Sequence, residues 1–374
     1  MRWKIILLLA GLATGFAIAE GTIRLCLFTP ACNITYLNGA GDFFDPLTDS
    51  FWLLHHRLGG VRPPWKAGWR TKDPLLGWDF KKNLNTGCVQ TNNLGGQEYD
   101  TLFDQQLVPS VLFYGDSFVD TLIRDFICTQ KTLPAFLELE LKRNVVNFGV
   151  AGYGLDQIYL KFLKTHNKYE KPLVLVGIIL DDLNRSALQG LRNGPKPYFL
   201  AGADDELVLQ GVPISDNPEE YFETHPIPLG SYLWRRFLRT RFGYPIEERL
   251  LRPRIESMQK INREIIKRFA ETTKNEGASL GFVIFYPERE LTPDWRHTFL
   301  LKTLKEFGVP YIDTKRYLLE YANGEEKKYK DLYFNDDGHH NIFGNHYIAT
   351  RLAQDITRFG WLPGEKKPAD ATSR

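Results

Sequence analysis

A chain of 374 residues, 43% apolar and 13% aromatic, carries enough apolar surface to bury a large core, which excludes an extended or wholly disordered protein. Its 47 basic and 45 acidic residues leave a net charge of +2, which excludes the broad electropositive face that nucleic acid requires. Four cysteines, Cys26, Cys32, Cys88 and Cys128, are too few for a disulfide framework and lack zinc-site spacing, so no metal is expected. In an oxidising compartment Cys32, Cys88 and Cys128 supply one disulfide whose pairing the sequence does not choose, with buried free thiols as the alternative.

The N-terminus sets the location. Arg2 and Lys4 precede an uninterrupted apolar run from Ile5 to Ala19, and Glu20 and Arg24 then restore polarity. Positive charge ahead of such a run keeps the N-terminus cytoplasmic and sends the rest across the membrane. Ala17-Ile18-Ala19 fits a small-x-small cleavage site, but apolar character continues through Ile23, Leu25, Leu27 and Phe28. The expectation is an uncleaved signal anchor over residues 1–28, with the body facing outward.

Residues 29–107 are rich in Gly, Pro, Asn and Trp without a sustained period, and read as an irregular lead-in packed on the main domain. From residue 108 short apolar strands alternate with helices. Strands are expected at 111–114, 145–148, 173–180, 280–286 and 309–312, and helices at 133–143, 155–166, 255–275, 296–307 and 342–359. Continuous apolar strands spaced by helices predict an α/β fold, with a mostly parallel five-stranded sheet covered on both faces, over residues 108–362. Residues 186–254 break this rhythm and read as an insertion. The charged, small-residue tail 363–374 is expected to be disordered.

Gly115-Asp116-Ser117-Phe118 follows the first strand directly, at the carboxyl end where open α/β sheets hold their ligands. Gly, Asp and Ser are also the commonest turn and cap residues, so the triplet alone is a weak signal. A serine nucleophile needs a base oriented by a carboxylate. One cluster offers it: Asn335-Asp336-Asp337-Gly338-His339-His340-Asn341, ahead of the last helix. His55, His56, His166, His225 and His297 have no comparable carboxylate environment in the sequence. A polar loop capping the final helix through Asn341 is the plain alternative. Glycines in Asn147-Phe148-Gly149-Val150-Ala151-Gly152-Tyr153-Gly154 allow a backbone amide to approach a reacting oxygen, although Gly149 and Gly154 read as ordinary turn residues.

Taken in order, these blocks resemble the SGNH/GDSL hydrolases, most of all their bacterial envelope branch, which also carries an Asn-x-Leu-Gly segment like Asn93-Leu94-Gly95 here. The resemblance runs from about residue 92 to the final helix and implies the three-layer, flavodoxin-like α/β/α fold of that family. It implies Ser117 as nucleophile, His339 as base and Asp336 as acid, with Asp337 and His340 as the alternate register. It also implies oxyanion donors at Gly152 and the Ser117 amide, and no cofactor. The chain departs from the family where an oxyanion asparagine is usual, carrying Asp181-Asp182 there with Asn184 two residues on. A carboxylate does not donate unless protonated, so the hole is filled by Asn184 through a local shift, or is two-membered, or activity is altered.

The implied chemistry is acyl transfer from an ester through an acyl-enzyme, to water or to a glycan hydroxyl. An outward-facing body suggests an O-acyl, notably O-acetyl, group on an envelope or extracellular glycan. Tyr198, Phe199, Tyr232 and Trp234 in the insertion are candidates for stacking on sugars, with ordinary packing as the alternative. Two other classes remain: a lipid or thioester esterase, and a non-catalytic envelope binding or assembly protein that keeps the fold. The expected location is a bacterial inner membrane, crossed once, with the domain on the periplasmic side.

Overall fold

A computed structural model describes residues 2–28, 68–99, 111–120 and 128–363, apart from short breaks at 192–193, 203–205, 216, 218–223, 225–230, 239, 241, 293, 326 and 336–337. The expected disordered tail and most of the lead-in lie outside the described residues.

The first helix, α1 (Arg2–Phe28), has 27 residues and so spans about 40 Å at about 1.5 Å per residue. Within its stretch Trp3–Cys26 an 18-residue window has a mean hydropathy of 1.8, and by length and composition it is long and apolar enough to cross a membrane.

The lead-in is less irregular than its composition suggests. Strands β1 (Arg70–Asp73) and β2 (Gly77–Phe80) form an antiparallel ribbon around the positive-φ Gly77. Leu76, Trp78 and Phe80 belong to the main core cluster. The ribbon is also tied down by charge: buried Lys161 donates to Asp79 at 2.7 and 2.6 Å. Cys88 and Cys128 form a disulfide, and Cys26 is disulfide-bonded as well. More than one disulfide is therefore present, against the single one expected.

The central sheet contains β3 (Val111–Gly115), β4 (Val145–Asn147), β5 (Leu173–Ile178), β10 (Ser279–Ile284) and β11 (Tyr311–Asp313). All its pairings are parallel, in the order β11-β10-β5-β3-β4. Counting only these five strands, the order is 2-1-3-4-5, the flavodoxin-like doubly wound arrangement. Every residue of β3 and β5 is buried, so both sheet faces are covered, which is why these strands read as unbroken apolar runs.

The helices are α2 (Ser117–Asp120), α3 (Leu133–Leu141), α4 (Leu155–Thr165), α5 (Asp181–Arg185), α6 (Tyr232–Leu238), α7 (Tyr244–Asn275), α8 (Trp295–Glu306), α9 (Lys315–Ala322) and α10 (Ile342–Arg358). They cover the sheet in two groups, α3 with α10, and α4 with α7 and α8. Each expected strand and helix has a counterpart within a few residues, except that α7 begins at Tyr244 rather than 255. Its first turns therefore fall in the stretch 186–254 expected to be an insertion, and the helix continues through Pro253.

The insertion holds two small ribbons, β6 (Gly190–Leu191) with β7 (Gly194–Pro195) and β8 (Tyr198–Ala201) with β9 (Leu207–Gln210), followed by α6. Tyr232 and Phe199 are buried, and Phe199 packs near Tyr159, so these two are packing residues and not sugar platforms. At its far end the insertion meets α1. Glu20 accepts from the Ser231 hydroxyl at 2.9 Å and from the Tyr232 and Leu233 amides at 3.0 Å, satisfying the first donors of α6 from another helix. Arg24 bonds Glu20 at 2.8 Å and lies over the Tyr232 ring.

Candidate active site

Ser117 stands where β3 turns into α2. The turn requires Gly115, since a Cβ there would fall 2.3 Å from Val119 Cγ2 and 2.6 Å from the Gly177 carbonyl oxygen. Asp116 shapes the start of the helical turn: its Oδ1 accepts from the Phe118 amide at 2.9 Å and its Oδ2 lies 3.3 Å from Ser117 Oγ. Ser117 is only 2% exposed, yet its Oγ reaches His339 Nε2 at 2.8 Å. That is the distance a general base needs to take the hydroxyl proton.

His339 lies on the loop leading into α10. The Phe334 amide donates to the His339 carbonyl at 2.9 Å, and the Glu288 amide donates to Gly338, whose φ of +75° makes the bend. The His339 ring sits 4.9 Å from that of Phe118, the residue following the serine. Asp336 and Asp337, the expected acid and its competitor, lie outside the described residues.

His340 takes a different part. Its ring is enclosed by Phe118, Tyr333 and Phe285, with centroids 5.0, 4.9 and 6.1 Å away, and it is 1% exposed. Neither ring nitrogen has a hydrogen-bond partner among the described residues. Burial, reinforced by His339, pushes its pKa down to about 3, so the ring is neutral. It is a packing residue, and the structure brings His339, not His340, to the serine. Asn341 caps α10, accepting from the Gly344 amide at 2.8 Å. Gly344 is required by packing, since a Cβ there would lie 2.0 Å from the Leu332 carbonyl oxygen.

The loop after β4 presents the next group. Gly149 donates to the Asn147 side chain at 2.8 Å, Val150 to the Gly115 carbonyl at 3.0 Å, Ala151 to Asp120 Oδ2 at 2.9 Å and Tyr153 to the Val150 carbonyl at 3.2 Å. The Gly152 amide alone among these has no acceptor among the described residues, and its φ of +85° suits only glycine well. This loop is fixed from beneath. Asp120, fully buried, accepts from Arg70 Nη2 at 2.7 Å, Gln97 Nε2 at 3.2 Å and the Ala151 amide. Trp78 Nε1 donates to the Ala151 carbonyl at 3.2 Å, and the Tyr153 hydroxyl donates back to the Trp78 carbonyl.

The positions expected to supply the third oxyanion donor form an ionic knot instead. Asp181 Oδ1 accepts from Asn184 Nδ2 at 3.1 Å and from Arg296 Nη1 at 3.3 Å, and its Oδ2 lies 3.4 Å from Arg185 Nε. The Asn184 amide thus donates to Asp181, and that carboxylate lies beside two guanidinium groups, of which Arg296 also pairs with Asp294 at 2.7 Å. Arg185 Nη1 also reaches Asp182 at 2.8 Å, the Tyr153 carbonyl at 3.3 Å and Asp116 at 3.4 Å. Burial and the neighbouring Asp116 push the Asp182 carboxyl well above its ordinary pKa, against the pull of Arg185. The same carboxylates hold the Arg185 pKa up despite burial. Gly154 makes the close approach possible, a Cβ there falling 2.8 Å from Arg185.

Sequence reasoning did not single out Arg70, Trp78, Gln97, Asp120, Arg185 or Arg296. A charged residue closing the apolar stretch Phe118-Val119-Asp120 was a usable signal for the Asp120 hub, and Arg185, three and four residues past Asp182 and Asp181, was legible as a helical ion pair; the other four carried none, because their partners at the site are distant in sequence. Three other histidines also have carboxylate partners the sequence could not show: His166 with Glu276 at 2.8 Å, His297 with Asp313 at 3.0 Å and His346 with Glu140 at 3.3 Å.

No protein-family model and no curated protein matches the chain. Solved structures similar to it include an acetylxylan esterase from Geobacillus stearothermophilus, 14% identical, covering 69% of this chain and 99% of its own, with a TM-score of 0.39. A second is LAE5, an α/β hydrolase from the metagenome of Lake Arreo, 12% identical, covering 67% and 97%, with a TM-score of 0.38. A third, described as a lipolytic protein of the G-D-S-L family from Desulfitobacterium hafniense, is 13% identical, covers 65% and 97%, and has a TM-score of 0.34. These likenesses concern the path of the chain; the roles proposed for individual residues rest on the geometry above.

Proposed function

We propose that the chain is a serine-dependent ester hydrolase or acyltransferase of the SGNH/GDSL type, acting through an acyl-enzyme on Ser117. The observation that carries this is the 2.8 Å contact between Ser117 Oγ and His339 Nε2 at the carboxyl end of a parallel sheet. In the proposed cycle His339 removes the hydroxyl proton as Ser117 attacks an ester carbonyl, and returns it to the leaving alcohol. Water or a glycan hydroxyl then takes the acyl group by the reverse steps. Asp336 is assigned the role of orienting His339. The uncommitted Gly152 amide and the Ser117 amide are assigned to the developing oxyanion, so the hole is two-membered, with Asp181 neutralised by Arg185 and Arg296.

The substrate assigned is an O-acyl, chiefly O-acetyl, group on an envelope or extracellular glycan. The location assigned is outside a bacterial inner membrane, held by α1. Arg2 and Lys4 ahead of the apolar run support that orientation, as do disulfides at Cys88, Cys128 and Cys26, which persist in oxidising compartments. Turnover of acetylated glycans by the purified full chain, abolished in Ser117→Ala, tests the substrate class. Turnover confined to acyl thioesters or long-chain esters would replace the glycan by a lipid-like substrate.

A further inference from the structure

Helix α6 and the first turns of α7 carry a surface unlike the rest of the body. Trp234, Phe237, Phe242, Ile246 and Leu250 are 44, 40, 82, 42 and 57% exposed. Trp234 and Phe237 stack on one another at 5.3 Å, and Ile246 and Leu250, four residues apart, share one face of α7. Residues 232–254 hold seven arginines and two glutamates, and no lysine or aspartate. Arg249, Arg252 and Arg254 are exposed and make no ion pair among the described residues. An apolar patch of this kind marks an interaction surface, and exposed aromatic and aliphatic side chains interleaved with arginine fit the boundary between headgroups and acyl chains.

The attachment of α6 to α1 says which surface it meets. Glu20, one residue past the apolar run Ile5–Ala19, caps α6 through Ser231, Tyr232 and Leu233. If α1 crosses the bilayer, Glu20 and Arg24 mark the level where the helix leaves the hydrocarbon, and α6 is fixed at that level. We propose that α6 and the first turns of α7 form a platform lying in the headgroup layer of an anionic bilayer, with Trp234, Phe237, Phe242, Ile246 and Leu250 dipping into it and the arginines pairing with lipid phosphates. This rests on α1 being a membrane-spanning anchor. The platform would hold the body against the membrane instead of leaving it free at the end of a tether.

No cysteine is free among the described residues, so a single introduced cysteine takes a nitroxide label, with the unlabelled parent as control. The full chain carrying Phe242→Cys, Leu250→Cys, Leu9→Cys or Leu139→Cys is reconstituted into vesicles of phosphatidylcholine with phosphatidylglycerol. Relaxation of each label is then measured against oxygen and an aqueous nickel complex. The platform predicts that labels at 242 and 250 favour oxygen, as at 9, while the label at 139 favours nickel. In phosphatidylcholine alone, the labels at 242 and 250 should shift toward the nickel signature while that at 9 does not. Labels at 242 and 250 in water while that at 9 is in lipid would overturn the platform and leave the anchor standing. A label at 9 in water would overturn both. Equal burial in the two lipids would overturn the anionic assignment.

Discussion

Replacing Arg70 by methionine tests the support beneath the Gly152 loop. Arg70 is 9% exposed and Asp120 fully buried, and their 2.7 Å contact is joined by Gln97 and the Ala151 amide. Arg70→Met keeps the aliphatic bulk against Phe80, whose ring lies 5.7 Å from the guanidinium, but takes the Arg70 cation away from the buried Asp120 charge. Breaking one side of a buried pair costs about 3 to 5 kcal/mol, whereas removing both charges at similar volume is close to neutral. Because other donors, Gln97 and the Ala151 amide among them, still serve Asp120, the lower end of that range, about 3 kcal/mol, is expected. Arg70→Met with Asp120→Leu should recover part of the charge cost but lose the acceptor for the Ala151 amide. Denaturation of the full chain in detergent, followed by tryptophan fluorescence, gives the stabilities, and the rate of Ser117 labelling by a fluorophosphonate reports the loop. The single variant should lose stability and label more slowly; the double variant should regain stability while labelling stays slow. A cost below about 1 kcal/mol for Arg70→Met, with labelling at the parental rate, would refute the linkage of this pair to the site.

His340→Phe should keep Ser117 labelling, because that ring only packs. The pKa of His340 is lowered to about 3 in the fold, so its neutral ring supports the fold above about 6.5 and that support is lost as pH falls toward 3. The phenylalanine variant should therefore gain on the parent in melting temperature as pH falls below about 6.5. Glu138, buried and accepting from the Val145 amide at 2.7 Å, shows the opposite sign. Burial raises its pKa to about 7, so its contribution is present below about 4.5 and lost as pH rises through 7. The melting temperature of the parent minus that of Glu138→Gln should then fall between pH 4.5 and 7. Arg296→Ala should slow Ser117 labelling by exposing the charge of Asp181, and adding Asp181→Asn should restore it; no rescue would mean that the Asp181 charge does not act on the site.

The parallel sheet was legible because buried strands such as Leu173–Ile178 read as unbroken apolar runs and because helical segments separate the strands. The proposed nucleophile and base were legible as polar clusters, Ser117 after β3 and His339 before α10, and the structure brings the two side chains into contact. What stayed hidden depends on side chains distant in sequence. The Asp120 hub joins residues 70, 97, 120 and 151, and Asp181 meets Arg296 from a helix 115 residues further on. A carboxylate at the usual oxyanion position therefore looked like an uncompensated charge until its partners were in view. The ribbon at residues 70–80 was missed because four-residue strands leave no measurable period. The early start of α7 was hidden because its first turns lie in the Arg-rich stretch that lacks a core-facing apolar period.

The most direct test of the account is fluorophosphonate labelling of the purified full chain beside Ser117→Ala and His339→Ala. The contact between Ser117 Oγ and His339 Nε2 predicts a single labelled residue, Ser117. It predicts no labelling of Ser117→Ala and a rate lowered about 10²–10⁴-fold in His339→Ala, the usual worth of a positioned base. Labelling that persists in Ser117→Ala, or a His339→Ala rate equal to that of the parent, would contradict a serine nucleophile activated by His339.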